Sequence, residues 1–144
     1  MTGNERPPQL VDLNATIFQV QDIFQEILGE NVVLRTKLAP NLGLVHGERR
    51  KIEALLVNLF LRARDAAPPA GELTVITSNL DLDTAAAAGM NVSPGPYAQL
   101  QFRVSRQVEP GGIREKLEQL HGAIDVKKTS DGGFTVIVAL PRAS

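Results

Sequence analysis

The chain has 144 residues, a length that fits one domain of ordinary size with a single continuous core. It carries 15 Lys and Arg residues and 16 Asp and Glu residues, so its formal charge of -1 provides no general attraction to nucleic acid or anionic lipid. The absence of cysteine, with His46 and His121 as the only histidines, excludes disulfides, thiolate metal sites, cysteine nucleophiles and a multi-histidine metal centre.

The N-terminus and the apolar runs predict one soluble domain with a short tail. Residues 1–8 are polar and end in two prolines, so we expect a flexible tail or linker remnant there and a single domain over 9–144. The start, MTGNERPP, has no apolar core like that of a signal peptide. Asn58 and Arg62 interrupt the longest apolar run before it reaches membrane-spanning length. We therefore expect a cytoplasmic domain without a membrane segment.

In the first half of the chain, apolar residues recur at helical spacing in two segments. The first helix should be capped by Asn14 and stop at Gly29. The second should begin near Glu48 and stop at Pro68-Pro69, because proline cannot continue the hydrogen-bond ladder. The apolar stripe of the first helix consists of Ile17, Val20, Ile23, Phe24, Ile27 and Leu28. That of the second helix consists of Ile52, Leu55, Leu56, Leu59, Phe60, Ala63 and Ala67. Extended segments are expected at 9–13, 32–38 and 44–46.

The second half predicts mainly strands. Residues 98–105 alternate between apolar and polar side chains, which indicates a strand with one buried face. The segment 124–140 is typical of a hairpin that turns at Ser130-Asp131-Gly132-Gly133. Between them, Gly111-Gly112 should introduce a third helix that Gly122 ends. Residues 73–79 predict a further strand, and 81–96 predict a surface loop with at most one helical turn.

About seven strands and three helices in this order do not fit a simple βαβ ladder. Most loops between the closing strands are short, which favours antiparallel neighbours. The predicted class is therefore α+β. We expect a two-layer sandwich in which a mixed, mostly antiparallel sheet carries about three helices on one face.

The segment KIEALLVNLFLRARDAAPPAG (51–71) resembles the ATP-binding domain of sensor histidine kinases, a family shared with gyrase, Hsp90 and MutL. The family's helix has the pattern NLxxNAxDAxPxGG, and the corresponding positions here read Asn58, Leu59, Arg62, Ala63, Asp65, Ala66, Pro68 and Gly71. The resemblance extends through 11–17, 38–53, 71–83, 95–104, 121–126 and 132–141, which is nearly the whole chain in the family's order. It implies the Bergerat, or histidine kinase-like ATPase, fold.

The chain departs from the family where the resemblance places nucleotide chemistry. Arg62 occupies the position of the second Asn, which in the family helps to hold Mg²⁺. Val104 occupies the position of the Asp that accepts a hydrogen bond from the adenine amino group. Arg106 and Val108 replace the glycines that follow it. Only Arg106 to Pro110 then precede the helix at Gly111, so the flexible ATP lid is expected to be missing.

Each departure has an expected cost. A hydrogen bond to a charged group contributes roughly 1.5–3 kcal/mol, so losing the adenine contact at Val104 corresponds to about a tenfold to hundredfold weaker affinity. Arg62 places a positive charge where a divalent cation would bind. Phosphoryl transfer depends on metal and on positioning. We therefore expect neither ATP nor Mg²⁺, the family's cofactors, to bind, and we assign no catalytic residue and no metal ligand.

Asn58, Arg62, Asp65 and Val104 together would then line a vestigial nucleotide cleft. For Asn58, a polar residue lining the leftover cleft is preferred over a surviving ligand of phosphate or metal. Arg62 could bind phosphate directly, but we favour pairing with Asp65 or another acid. Asp65 is assigned a structural role. His46 and His121 are interpreted as surface or capping residues.

The resemblance leaves three functions open. The first is a degenerate ATP-binding domain that acts by protein interaction in two-component signalling, with a receiver domain, a phosphoacceptor helical hairpin or a neighbouring domain as its partner. The alternative is an active ATP-binding histidine kinase domain with an atypical site. A third is a sensor that binds another small ligand in the vacated cleft, beside Val104 and Phe60. Nucleic acid is not an expected partner.

Overall fold

The computed structural model describes residues 10–30, 32–66, 71–105 and 111–143. Those residues form seven strands and four helices. The strands are β1 (Leu10–Val11), β2 (Val32–Lys37), β3 (Val45–His46), β4 (Gly71–Leu82), β5 (Gly95–Val104), β6 (Ala123–Lys128) and β7 (Phe134–Pro141). The helices are α1 (Leu13–Leu28), α2 (Arg49–Ala66), α3 (Thr84–Met90) and α4 (Gly111–Gln119). The predicted tail, the prolines after α2, and Arg106 and Val108 lie outside the described residues.

Five strands form one mixed sheet in the order β2-β4-β5-β7-β6. β2 runs parallel to β4, and the other neighbouring pairs are antiparallel. In the centre, Phe102 of β5 lies opposite Val75 of β4 on one side and Val136 of β7 on the other. β1 and β3 pair separately as a small antiparallel ribbon. The mixed, mostly antiparallel sheet confirms the predicted fold class.

The main core lies between one face of this sheet and helices α1, α2 and α4. Strand residues that alternate along the chain, such as Leu100, Phe102 and Val104, supply the sheet side. On the helix side, the rings of Phe24 and Phe60 lie with their centroids 4.5 Å apart and join α1 to α2.

α3 corrects the expectation of a surface loop at 81–96. Asp83 caps the helix by accepting a hydrogen bond from the Ala86 amide at 2.8 Å, and the alanines that follow are strong helix formers. Ala87 packs in a second cluster with Tyr97 and Ala139. Because Tyr97 and Ala139 alternate with the core-facing residues of their strands, α3 covers the opposite face of the sheet. The helices therefore do not all lie on one face.

The start of α1 also differs from the prediction. Asp12, not Asn14, is the N-cap, and its side chain accepts from the Ala15 amide at 3.1 Å. The predicted C-cap is confirmed, since Gly29 has a φ of 80° and donates to the Gln25 carbonyl. The apolar stripe is narrower than expected, because Ile23 and Ile27 are exposed.

Asn14 instead belongs to a half-buried polar network that fixes the loop at 38–44. Its Nδ2 donates to the Ala39 carbonyl at 2.7 Å, and its Oδ1 accepts from the Thr77 hydroxyl at 2.9 Å. The Ala39 amide donates to the same hydroxyl at 2.9 Å, which closes a ring of three hydrogen bonds. Thr77 is one of two buried polar residues in the described part of the chain, so this ring satisfies a hydroxyl that is shielded from water.

Beyond the end of α4, a Cβ atom placed on Gly122 would lie only 2.5 Å from the Ala139 carbonyl oxygen. Gly122 and His121 donate to the carbonyls of Leu117 and Glu118 at 2.8 and 3.1 Å, a Schellman arrangement. The residue with positive φ is His121, at 60°, in a position that glycine usually occupies. Its capping role, expected from the sequence, is confirmed.

Candidate functional site

The C-terminal half of α2 positions three of the residues that the sequence assigned to the vestigial cleft. Asn58 and Arg62 lie one turn apart, so both project from the same side of the helix. Asn58 turns back onto α2, where its Nδ2 donates to the Ala54 carbonyl at 2.9 Å. Both side chains are half-buried.

Arg62 extends from α2 to the first turn of α4. A Cβ atom placed on Gly112 would lie 3.5 Å from Nη2 of Arg62, which is ordinary van der Waals contact. The guanidinium therefore lies directly against α4. Because the N-terminus of a helix repels positive charge, the dipole of α4 does not favour this contact.

Asp65 points away from this contact. Its side chain is 73% exposed, and the ion pair that the structure shows for it is with the adjacent Arg64, at 3.3 Å. An exposed pair of this kind contributes little to stability. Asp65 thus lies at the rim of the site rather than inside it.

Val104 lies at the same end of the fold as Arg62, on the sheet side of the core. It is the last residue of β5, is 5% exposed and belongs to the main core with Phe60. The next residue, Ser105, donates its amide to the Ala66 carbonyl at 2.9 Å, so the end of β5 is bonded to the end of α2. Asn58, Arg62 and Val104 therefore lie on elements that meet at one end of the fold.

A second cleft lies at the opposite end and was not foreseen from the sequence. It has a volume of 740 Å³ and is lined by His46, His121, Tyr97, Glu118 and further residues around the start of β5. Both histidines are exposed, which confirms their interpretation as surface or capping residues, and His46 lies in β3. Within the described ranges, no group of three or more His, Asp or Glu side chains could hold a metal ion.

Tyr97 forms part of the floor of this second cleft. Burial raises the pKa of its phenol above the usual value. Its hydroxyl donates to the Ser93 carbonyl at 2.7 Å and so fixes the turn before β5. The sequence signals that could have indicated this cleft are Pro94, Gly95 and Pro96 around the start of β5, which were expected to lie in a surface loop.

Comparison with known proteins identifies the fold. No family model matches the chain. The sensor kinase CckA of Brucella abortus (strain 2308) is 28% identical over 135 residues, which cover 92% of this chain and 14% of that protein. The chain thus corresponds to a small part of the relative it matches.

Solved structures give the same result. Histidine kinase ThkA, in complex with response regulator protein TrrA, superposes with a TM-score of 0.72 at 15% identity, covering 94% of this chain and 42% of that one. The mycobacterial sensor histidine kinase MprB gives 0.69 at 14% identity, covering 94% and 98%. Acinetobacter baumannii histidine kinase AdeS gives 0.69 at 15% identity, covering 97% and 70%.

The chain therefore has the fold of histidine kinase catalytic domains, and the resemblance seen in the sequence is confirmed. Its helices α1, α2 and α4 lie on one sheet face, and the motif-bearing helix is α2. Among the described residues, no helix has both the length and the apolar character needed to cross a bilayer.

Proposed function

We propose that this chain is a histidine kinase-type catalytic domain that no longer binds Mg-nucleotide and acts in two-component signalling by protein interaction. The observation that carries the proposal is the position of Arg62. Its guanidinium lies against Gly112 at the start of α4, on the side of α2 where the family holds metal and phosphate. A bound divalent cation beside that group would be repelled by its charge.

Two further contacts support the proposal. The Val104 side chain is packed into the core, so it offers adenine no hydrogen-bond acceptor. The Ser105–Ala66 hydrogen bond holds the end of β5 directly against α2. These residues do not fit a Mg-nucleotide, and we derive no phosphoryl transfer step for the chain. The same packing argues against a different small ligand between Val104 and Phe60.

The proposed partner is inferred from proteins that are similar to this chain. ThkA was solved in complex with a response regulator protein, and CckA is named a sensor kinase. A domain of this fold that has lost its nucleotide can still offer a rigid surface, because function resides in sites built on a fold rather than in the fold itself. The proposed partner is a receiver domain or a phosphoacceptor helical hairpin.

Thermal unfolding of the full chain with millimolar Mg-ATP, Mg-ADP or Mg²⁺ alone tests the proposal. A ligand that binds the native state must raise the unfolding midpoint. We therefore expect the midpoint measured with each of the three ligands to coincide with that of the chain without ligand. An active kinase with an atypical site predicts the opposite, namely a midpoint several degrees higher with nucleotide. Calorimetric titration provides the matching isotherm, and heat that saturates with Mg-ATP would refute the proposal.

A further inference from the structure

The two edges of the main sheet differ in how their backbone groups are covered. β2 and β6 are its outer strands. On β2, the Gln25 carboxamide of α1 accepts from the Leu34 amide and donates to the Val32 carbonyl, each at 2.8 Å. For β6, the described residues show no backbone hydrogen bond except those of the ladder with β7. An uncovered edge strand can pair with a further strand.

The turn between β6 and β7 fixes which backbone groups of β6 point outward. The Thr129 amide donates to the Gly133 carbonyl at 2.8 Å, and these two residues continue the register that the strands share. Hydrogen-bonded pairs alternate along an antiparallel ladder, so the odd-numbered residues of β6 bond to β7. The even-numbered residues direct their N–H and C=O groups away from the sheet; they are Ile124, Val126 and Lys128.

The side chains of β6 place one acid and one base beside this edge. Ile124 and Val126 pack toward the main core, so Asp125 and Lys127 lie on the opposite face of the sheet. Asp125 is half-buried and Lys127 is exposed. In the part of the chain that the structure describes, neither side chain forms an ion pair. The two charges are therefore placed symmetrically about Val126 and available to a neighbouring strand.

The helices near β6 pack on its two faces. α4 belongs to the main core with Ile124, on the helix side of the sheet. α3 packs on the other face against Ala139, which lies opposite Ala123, the first residue of β6. At the other end of the strand, Lys127 and Lys128 are exposed. The C-terminal half of β6 is therefore its more open half.

We propose that β6 pairs antiparallel with β6 of a second copy of this chain, about a two-fold axis at Val126. Val126 then exchanges two hydrogen bonds with the partner's Val126, and Ile124 does the same with the partner's Lys128. In this register Asp125 lies opposite the partner's Lys127, and Lys127 lies opposite the partner's Asp125. Opposite charges that face each other across strands stabilise the pairing, and these pairs are of the closer, non-hydrogen-bonded kind.

The charge pattern selects both the register and the occupant. Moving the axis by one residue would place Asp125 opposite the partner's Asp125, or Lys127 opposite the partner's Lys127, and like charges directly opposite destabilise a sheet. A two-fold interface brings each residue to the symmetry-related position of its partner residue, which an acid and a base equally spaced about Val126 satisfy. Lysines on an edge strand can instead prevent pairing, and that alternative predicts a monomer.

Sedimentation equilibrium of the full chain, from about 10 μM to about 1 mM, tests the proposal in the range of weak association. We expect a monomer–dimer equilibrium. Asp125→Lys and Lys127→Asp each replace two attractive pairs with two repulsive ones, so each should weaken dimerisation at least about tenfold. The double variant Asp125→Lys, Lys127→Asp exchanges the charges and should restore it. An equal mixture of the two single variants should also associate, because each edge then meets its opposite.

Lys37→Asp on β2 is the matched control. It makes the same change of charge as Lys127→Asp at an exposed position of the other edge strand, so it should leave the dissociation constant unchanged. Thermal midpoints of all variants confirm that they fold. The amide ¹⁵N and ¹H shifts of Val126 and Lys128 should change on dilution of the wild-type chain, because their outward N–H groups lose a hydrogen bond.

Three results would overturn the β6 pairing. The first is a wild-type chain that stays monomeric at the highest concentration, which would mean that its lysines block the edge. The second is a charge-exchanged double variant that dimerises no better than the single variants. The third is a loss of dimerisation with Lys37→Asp as large as that with Lys127→Asp. These measurements contain no nucleotide, so their outcome is independent of the proposed function.

Discussion

The half-buried polar network at loop 38–44 and the end of the fold around Arg62 are two regions that treat polar groups differently. In the network, Asn14, Thr77 and the Ala39 backbone satisfy one another within the chain. At the other end, Val104 is buried in the core and the Arg62 guanidinium lies against Gly112, at the two positions where the resemblance expects an adenine acceptor and an Asn.

This difference has a physical reason. A polar group bonded inside the fold would leave a buried unsatisfied partner if it were lost, which costs about 1–3 kcal/mol. A polar group whose partner is a ligand stabilises the protein only while the ligand is bound. Without nucleotide, an apolar residue such as Val104 packs better at that position than a buried carboxylate would. If the chain binds no nucleotide, as proposed, a buried Val104 is therefore more stable than a buried carboxylate at this end of the fold.

Val104→Asp is the most disruptive way to test this comparison. It restores the family residue, but the carboxylate enters a position that is 5% exposed. We expect the free energy of unfolding to fall by about 4 kcal/mol at pH 7, the cost of an uncompensated buried charge. The loss should diminish at low pH, where the carboxyl is neutral. Urea unfolding at pH 7 and pH 4 measures both effects.

The control for this variant is Gln101→Asp on the same strand. Gln101 lies on the opposite sheet face and is half-buried, so its replacement should change stability by less than about 1 kcal/mol. If Val104→Asp is tolerated equally well, the cleft contains enough water to solvate a carboxylate. That result would contradict a closed nucleotide end and favour an open one.

Much of the fold could be predicted from the sequence because its signals are local. The alternation in β5, the glycine turn before β7 and the helical spacing of α2 all have the predicted structure. α3 was missed although Asp83 before an alanine run is a helix-start signal. Its place on the second sheet face could not have been predicted, because it depends on the packing of Ala87 against Tyr97.

For the candidate site, the sequence could identify individual residues but not the contacts between them. Motif spacing identified Arg62 and Val104 as departures from the family pattern, and the structure places both at one end. The contact of Arg62 with Gly112 depends on how α2 and α4 pack, which no single-sequence pattern encodes. The exposure of Ile23 had the same cause, since helical spacing marks a face but not how much of it the sheet covers.

Thr77→Val tests the other side of the comparison and should have an intermediate effect. Valine has nearly the shape of threonine but removes the hydroxyl that bonds both Asn14 and the Ala39 amide. We expect a loss of about 2 kcal/mol, because two half-buried polar groups lose a hydrogen-bond partner. Ser78→Ala, on the opposite face, is the control. Equal stability of the two variants in urea would show that the network is dispensable.

The smallest expected effect concerns Asp131, in the exposed turn between β6 and β7. The Thr129 hydroxyl, the Gly133 amide at 3.2 Å and the Arg103 guanidinium at 3.0 Å stabilise its charged form. These contacts, the Thr129 bond first, lower the pKa of Asp131 below its ordinary value of 3.8. A lowered pKa in the folded state means stabilisation that is present above the ordinary pKa and is lost as the pH falls through the folded one.

Thermal midpoints of wild type and Asp131→Asn between pH 2 and pH 6 isolate this contribution, with about 0.5 pH spacing to resolve one titration. Below about pH 4, the thermal midpoint of the wild type should fall more than that of the variant. Above that pH, the two midpoints should change with pH in the same way. The difference should be small, because the turn is solvated and water competes for the same bonds. A drop as large as that of Thr77→Val would show that exposed and buried polar networks contribute alike, and the contrast between the two regions would then have to rest on ligand loss alone.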